Sequence, residues 1–157
     1  MLDPVDPEPA PIAIRRMQPS DADFVRDLAR RVFNEYRPNS GGHTLRLAAR
    51  DSSTTFIATA RERRVGFVVI DLGPTGAYLD AIAVEEAFRG RRIGAALLTS
   101  AETEARRTGA AELRLVTAEA NVAALDLFTK HGLIFDRRHG PYYAHGQAAV
   151  SLHKRLA

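Results

Sequence analysis

The chain has 157 residues, 45% of them hydrophobic, which suits one globular domain with its own core. Its 22 basic and 19 acidic residues give a formal net charge of +3, and both signs are spread along the chain, which argues against a nucleic-acid-binding face. Cysteine is absent, so disulfides, thiolate catalysis and cysteine-ligated metals are excluded.

The N-terminal residues carry neither a signal sequence nor a membrane span. They are acidic and proline-rich rather than basic and then apolar, and no run of eighteen apolar residues occurs anywhere in the chain. We therefore expect a cytoplasmic protein without a membrane partner. Residues 1–11 are predicted to form a flexible tail, and residues 12–157 the domain.

The first predicted elements are a strand and a helix. Residues 12–17 alternate apolar and polar side chains, as a strand does. Proline, serine and aspartate follow at 19–21, and this pattern predicts a helix with Ser20 as its N-cap. Apolar residues then recur every three or four positions, which predicts a helix with one buried face that ends near Tyr36.

Three β-rich segments follow a glycine-rich break. The two glycines at 41–42 interrupt the pattern, and a short helix is predicted around residues 45–50. Residues 55–60 and 65–72 are predicted to pair as a hairpin, and residues 77–84 to form a third strand.

The C-terminal half alternates helices and strands. The clearest helical pattern covers residues 93–108, where an apolar stripe is accompanied by a Glu102–Arg106 pair and followed by Gly109 as a stop signal. A strand is predicted at residues 112–117.

The last predicted elements are a helix at residues 121–131 and strands at 133–137 and 148–153. The order β-α-(α)-β-β-β-α-β-α-β-β predicts a mixed α/β domain. In it, one central sheet of about seven strands is covered by helices on both faces.

The most informative segment covers residues 79–98. It combines a strand, a short loop rich in arginine and glycine, and an amphipathic helix. Such a loop directs several backbone N–H groups and the positive end of the helix at one point, which suits a pyrophosphate. Gly94 in the first turn lets a ligand approach the backbone closely. These features alone predict an anion-binding site.

This segment resembles the acetyl-CoA signature of the GNAT superfamily of N-acetyltransferases, in which a strand ending in Ala-Val precedes Arg/Gln-x-x-Gly-x-Gly/Ala. Arg89 and Gly94 match, while Arg92 stands where the family usually has glycine. Residues 121–133 resemble the family's later motif, Asn-x-x-Ala-x-x-Leu-Tyr-x-x-x-Gly-Phe. The resemblance covers residues 12 to 156.

The resemblance implies a mostly antiparallel sheet with one splayed parallel pair, and acetyl-CoA as co-substrate. It also implies that the backbone of residues 82–84 binds the pantetheine arm, that residues 89–95 bind the pyrophosphate, and that Asn121 contacts the arm. The predicted cofactor-binding residues are Ile82, Ala83, Val84, Arg89, Gly90, Arg91, Arg92, Ile93, Gly94, Ala95, Asn121 and Phe128.

A carboxylate lies in the otherwise apolar third strand. Alternation along this strand places Tyr78, Asp80, Ile82 and Val84 on one face. Acetyl transfer needs a neutral amine, so Asp80 is our candidate for the group that accepts the amine proton or binds the amine. The alternative for Asp80 is a structural salt bridge or a turn contact.

The general acid is the second open question. The resemblance implies a tyrosine in the second motif, but Phe128 occupies that position. Either the thiolate leaves without help, or Tyr142 or Tyr143 replaces the missing hydroxyl. Packing in the core or at the surface is the alternative explanation for these two tyrosines.

The sequence therefore predicts an N-acetyltransferase that acts on a primary amine of a small molecule or a protein. The alternative is a catalytically weak acyl-CoA-binding module, which the phenylalanine in the second motif favours. The glycine spacing fits neither a P-loop nor a dinucleotide fingerprint, and the five histidines do not predict a metal site. Monomer and homodimer remain open.

Overall fold

Seven strands form one sheet in the order β1-β2-β3-β4-β5-β7-β6. The computed structural model describes residues 11–157, so the predicted tail lies outside the described residues except for its last one. The strands are β1 Ile12–Arg16, β2 Ser53–Ala60, β3 Arg63–Gly73, β4 Gly76–Val84, β5 Glu112–Ala118, β6 Ile134–His139 and β7 Ala149–Arg155. The helices are α1 Ala22–Phe33, α2 Ser40–Ala48, α3 Ile93–Arg107 and α4 Val122–Lys130.

All strand pairs but one are antiparallel. β4 and β5 run parallel, and they pair only from Ala77 opposite Leu113 to Leu79 opposite Leu115. Beyond Leu79 the two strands diverge. From there β4 is paired only with β3, and β5 only with β7. The predicted fold class, a mixed α/β domain with a mostly antiparallel sheet and one splayed parallel pair, is confirmed.

Helices cover both faces of the sheet, as predicted. α1 and α2 pack on one face, where Leu28 of α1 lies against Ile57 and Phe67. α3 and α4 cover the other face, where Leu97 and Phe128 are part of the larger apolar cluster. None of the helices within residues 11–157 is long and apolar enough to cross a membrane.

The start of the first helix differs from the prediction. Residues 19–21 form a 3₁₀ turn, and α1 begins one residue later, without Ser20 as its cap. Asp21 is wholly buried there, with Arg15 at 2.7 and 2.9 Å and Arg64 at 2.6 Å. The hydrogen bonds from Arg15 hold the pKa of Asp21 well below its usual value. The Asp21 carboxylate also accepts a hydrogen bond from the Gln18 amide at 2.7 Å. Asp21 therefore caps the 3₁₀ turn and ties the start of α1 to β1 and β3.

The second helix begins earlier than predicted. α2 includes Gly41 and Gly42, which the sequence suggested as a break. A Cβ atom at position 41 would lie 2.7 Å from the backbone oxygen of Arg26 in α1, so the glycine permits close helix packing. Tertiary packing here outweighs the low helix propensity of glycine.

The third helix follows its prediction closely. Glu102 and Arg106 form the predicted pair at 3.3 Å, and Gly109 adopts a φ of +83° just after the helix. The hydrogen bond from the Ala110 amide to the Ala105 carbonyl completes the helix C-cap.

Candidate active site

A cavity of about 210 Å³ opens where β4 and β5 diverge. We call it the central cavity. Residues 79–82 of β4 and 116–118 of β5 form its side walls. One end is closed by Asn121, Ala124 and Phe128 from α4, and the other by residues of α1, α2 and the β6–β7 loop. Since α4 and α2 cover opposite faces of the sheet, the central cavity connects the two faces.

The segment 89–95, which we call the donor segment, leads into α3. Within residues 11–157, the backbone amides at positions 90–95 donate no hydrogen bond. Six consecutive free N–H groups at the positive end of a helix form a strong anion-binding arrangement. The donor segment therefore fits a pyrophosphate, as the sequence predicted for its residues.

The backbone conformation of Arg92 explains why the family motif usually has glycine at this position. Its φ of +63° and ψ of +20° lie in the left-handed region, which glycine adopts without steric cost. The loop thus keeps its conformation although an arginine replaces the glycine. The guanidinium groups of Arg63 and Arg91 lie 5.1 and 5.0 Å from the ring centre of Phe88, which holds the loop against the start of β3.

We expect Arg92→Gly to raise the free energy of unfolding by about 1 kcal/mol, because the left-handed conformation is strained for arginine but not for glycine. Arg89→Gly is the matched control, since Arg89 has an extended backbone with φ of −67°. That control should lower stability slightly by adding freedom to the unfolded chain. Urea denaturation of both variants measures the difference, and equal destabilisation by both would contradict the explanation.

Gly94 has a packing role that the sequence did not suggest. A Cβ atom at this position would lie 3.1 Å from the Leu127 side chain of α4. The glycine therefore lets the first turn of α3 pack against α4, in addition to leaving its amide accessible.

The edge of β4 that faces β5 is free beyond Leu79. Residues 82–84 pair with β3 on one side and have no strand partner on the other. Their backbone groups are thus available to an extended ligand arm. Asn121 accepts a hydrogen bond from the Ala124 amide at 3.2 Å and also lines the central cavity. Phe128 lines the cavity too, with 3% of its surface exposed.

A β-bulge lies at Asp80. Val69 of β3 pairs with Ala81, and the next residue, Ile70, pairs with Leu79. Asp80 is therefore one extra residue on β4, and a bulge of this kind reverses the inward and outward order of the side chains that follow.

The bulge divides the four residues that alternation placed on one face. Tyr78 and Asp80 face the α2 side and line the central cavity. The side chains of Ile82 and Val84 pack instead into the cluster under α3. The prediction of one shared face is thus wrong for these two residues, because alternation counts along one strand only and cannot register an inserted residue.

The Asp80 carboxylate is largely buried, with 10% of its side chain exposed. Arg50, just beyond α2, donates a hydrogen bond to its Oδ2 and also lies 3.7 Å from Asp71 of β3. The other carboxylate oxygen of Asp80, Oδ1, accepts no hydrogen bond from residues 11–157 and is free to bind another donor. Burial raises the pKa of Asp80, and Asp71 adds to this, whereas Arg50 lowers it; the net direction is upward.

All four tyrosines of the chain line the central cavity. The Tyr143 ring centre lies 5.2 Å from that of Tyr36 and 4.8 Å from that of Tyr142. Burial raises the pKa of both Tyr78 and Tyr143 to about 12, so both hydroxyls stay protonated at neutral pH. Tyr142 is more open, with 48% of its surface exposed.

Two hydrogen bonds tie the α1–α2 loop to the β6–β7 loop across the cavity. The Ala144 amide donates to the Tyr36 carbonyl at 3.1 Å, and the Gln147 side chain donates to the Glu35 carbonyl at 2.9 Å. The two loops therefore form a roof over the α2 end of the cavity.

The sequence assigned no role to three basic residues of this end: Arg37, His43 and Arg50. A signal was present, because residues 36–50 contain three arginines and one histidine but no acidic residue. Arg37 and His43 line the central cavity, and Arg50 binds Asp80.

A family model supplies the decisive comparison: the model of the acetyltransferase (GNAT) family matches residues 22–133. The chain belongs to the GNAT acetyltransferase family. It is accordingly an acyltransferase with acetyl-CoA as its co-substrate. No curated protein matches the sequence.

Solved structures share the fold of this GNAT acetyltransferase at low sequence identity. The ribosomal-protein-S18-alanine N-acetyltransferase from Escherichia coli is 20% identical, with a TM-score of 0.81 over 93% of this chain and 94% of that one. Ard1 from Thermoplasma volcanium is 24% identical, with a TM-score of 0.81 over 93% and 98%. Nourseothricin acetyltransferase is 18% identical, with a TM-score of 0.76 over 93% and 99%.

Proposed function

We propose that this enzyme transfers the acetyl group of acetyl-CoA to a primary amine of a small molecule or a protein. The observation that supports the proposal is the central cavity, which connects the donor side of the sheet with Asp80 and the tyrosines on the α2 side. A thioester on one face and an amine on the other can meet within it.

The donor side would bind acetyl-CoA through backbone groups. The amides of the donor segment suit the pyrophosphate, and the free edge of residues 82–84 suits the pantetheine arm. Arg92 adds positive charge at this end. Asn121, which caps α4 and lines the central cavity, would contact the arm.

Asp80 is proposed to accept the proton of the amine. An amine must be neutral to attack the acetyl carbon. The free oxygen Oδ1 of Asp80 can accept the amine proton directly or through a water molecule. In the overall reaction a C–N bond forms and the C–S bond breaks. Asp80 takes up the amine proton and passes it through water to the departing thiolate, which leaves as the free thiol of CoA. A backbone N–H group near Val84 is proposed to stabilise the developing oxyanion.

Tyr143 is proposed to assist the departing sulfur. With a pKa of about 12 it holds its proton more firmly than a thiol with a pKa of about 8.5, so it acts as a hydrogen-bond donor rather than giving up its proton fully. Tyr143 is preferred to Tyr142 because it is less exposed and packs between Tyr36 and Tyr142.

The kind of acceptor does not follow from the fold. The name of the Escherichia coli enzyme specifies an alanine of ribosomal protein S18, and another similar structure is named for nourseothricin. Acceptors as different as these share one architecture, since the fold and the acceptor site are separate properties. An amine panel with both peptides and small molecules, followed by free thiol release, tests the proposal.

The alternative is an acyl-CoA-binding module with weak catalysis. Phe128 favours it, since the hydroxyl implied by the family motif is absent from a buried position of the cavity. Turnover of any amine in the panel decides against this alternative.

We expect acetyl-CoA to stabilise the fold, because a ligand that binds only the native state raises the unfolding free energy by about 2.7 kcal/mol at a hundred times its Kd. Thermal unfolding with increasing acetyl-CoA measures the shift, with free acetate as the control. A flat response up to millimolar acetyl-CoA would contradict the assignment of the donor segment.

A further inference from the structure

The segment 36–50 at the α2 end of the central cavity is basic, although Glu35 directly precedes it and Asp80 lies in the same cavity. The segment 36–50 forms the α1–α2 loop and α2, and its three arginines and one histidine are not balanced by any acidic residue within the segment. Two members of this set, Arg37 and His43, line the cavity.

Arg37 lacks an acidic partner. Among residues 11–157, no carboxylate lies within 4 Å of its guanidinium group, whereas Arg31 binds Glu85 and Arg50 binds Asp80. Arg37 is exposed. Burial raises the pKa of Tyr143 to about 12, and the nearby charge of Arg37 partly opposes this rise. A cation at the wall of a substrate cavity, without a partner in the described chain, is available to a ligand.

The other basic residues strengthen this field. Burial lowers the pKa of His43, and the charges of Arg37, Arg46 and Arg50 lower it further. His43 is therefore neutral at neutral pH and offers a ring N–H as a hydrogen-bond donor, while Arg37 provides the charge.

Asp80 lines the same cavity as Arg37 and His43. Its carboxylate is bound to Arg50, which follows α2. The cavity thus offers an acidic group and a basic group to one ligand.

We propose that Arg37 and His43 bind a carboxylate of the acceptor, and that the acceptor is a small amino acid whose amine reaches Asp80 in the same cavity. This inference rests on the proposed function. It also predicts that polyamines are poor acceptors, because their additional positive charges face Arg37 without a counter-charge.

Two matched series of acceptors test the inference. One runs from 3-aminopropanoate to 6-aminohexanoate, and the other contains the n-alkylamines of the same carbon number, with spermidine as a polycation. The amines have similar basicity, so kcat/KM from thiol release compares the far ends of the molecules. We expect kcat/KM to be at least tenfold higher for the carboxylates than for the alkylamines of the same carbon number.

Two variants locate the preference. Arg37→Gln should raise KM for the carboxylate series by at least tenfold and by far more than for the alkylamine of the same length. Arg46→Gln removes the same charge from α2 but lies outside the cavity lining, and it should keep the preference of the wild type.

Each remaining outcome decides against the inference. Equal use of both series, good turnover of spermidine, or an Arg37→Gln effect of the same size on both series would overturn it and leave the proposed amine acetylation intact. If no member of either series is acetylated although acetyl-CoA binds, acetylation of small amines fails, and this inference fails with it.

Discussion

We expect Asp80→Asn to lower the rate of acetyl transfer at pH 7 by about a hundredfold or more, the contribution typical of a positioned general base. Asparagine preserves the shape of the side chain but cannot accept the amine proton. The loss should shrink at pH 9 to 10, because the medium then supplies the neutral amine. Thiol release measured across this pH range gives the comparison, and equal losses at every pH would indicate a structural role.

The direction of the pH profile follows from the surroundings of Asp80. A base works only when it is deprotonated, so activity rises with pH through the pKa of the carboxyl. Burial raises this pKa above the usual value of 3.8, so the acidic limb should lie at higher pH than for an ordinary aspartate. Arg50→Gln removes the contribution that lowers the pKa and should move the limb further upward.

Asp71→Asn is the matched control for both changes. Asp71 also lies near Arg50, but its side chain is outside the lining of the central cavity. Its replacement should leave kcat within a few-fold of the wild type. A loss as large as that of Asp80→Asn would mean that the ion cluster as a whole, rather than one carboxylate, supports the reaction.

We expect Tyr143→Phe to lower the rate of acetyl transfer by about ten- to a hundredfold, the loss typical of one hydrogen bond to a charged atom. Tyr142→Phe should stay near the wild type, because its side chain is half exposed and adjacent residues project in different directions. Single-turnover rates and acetyl-CoA affinity separate a lost hydrogen bond from a lost binding contact.

Near-wild-type rates in both tyrosine variants would refute the transfer of this role to the β6–β7 loop. The thiolate would then leave unaided, and Phe128→Tyr would accelerate the reaction by restoring the hydroxyl that the family motif implies. Phe128→Leu is the control for the change in packing at this buried position.

The donor side of the site could be predicted because it is local. The donor segment and the cap at Asn121 are short stretches in which neighbours in sequence are also neighbours in space. Even Arg92, the one departure from the glycine pattern, keeps the backbone conformation that the pattern encodes.

The acceptor side could not be predicted in the same way because it is assembled from distant segments. The bulge at Asp80 is defined by the register with β3, and no pattern within β4 indicates it. Arg50 reaches Asp80 from thirty positions away. The early start of α2 likewise depends on the contact between Gly41 and α1.

The bulge also separates two functions of β4, which are packing in the core and lining the central cavity. Ala81 and Ala83 pack under α1 and α2, and Ala77 and Leu79 pack under α3, so their size is fixed by the core. Asp80 belongs to neither cluster. A substitution there changes the chemistry of the cavity without repacking the sheet. A deletion would remove the bulge and its carboxylate, and the following side chains of β4 would keep their present faces, because the consecutive residues Val69 and Ile70 already pair with Ala81 and Leu79. Substitutions at position 80 can therefore change the acceptor chemistry with little loss of folding stability.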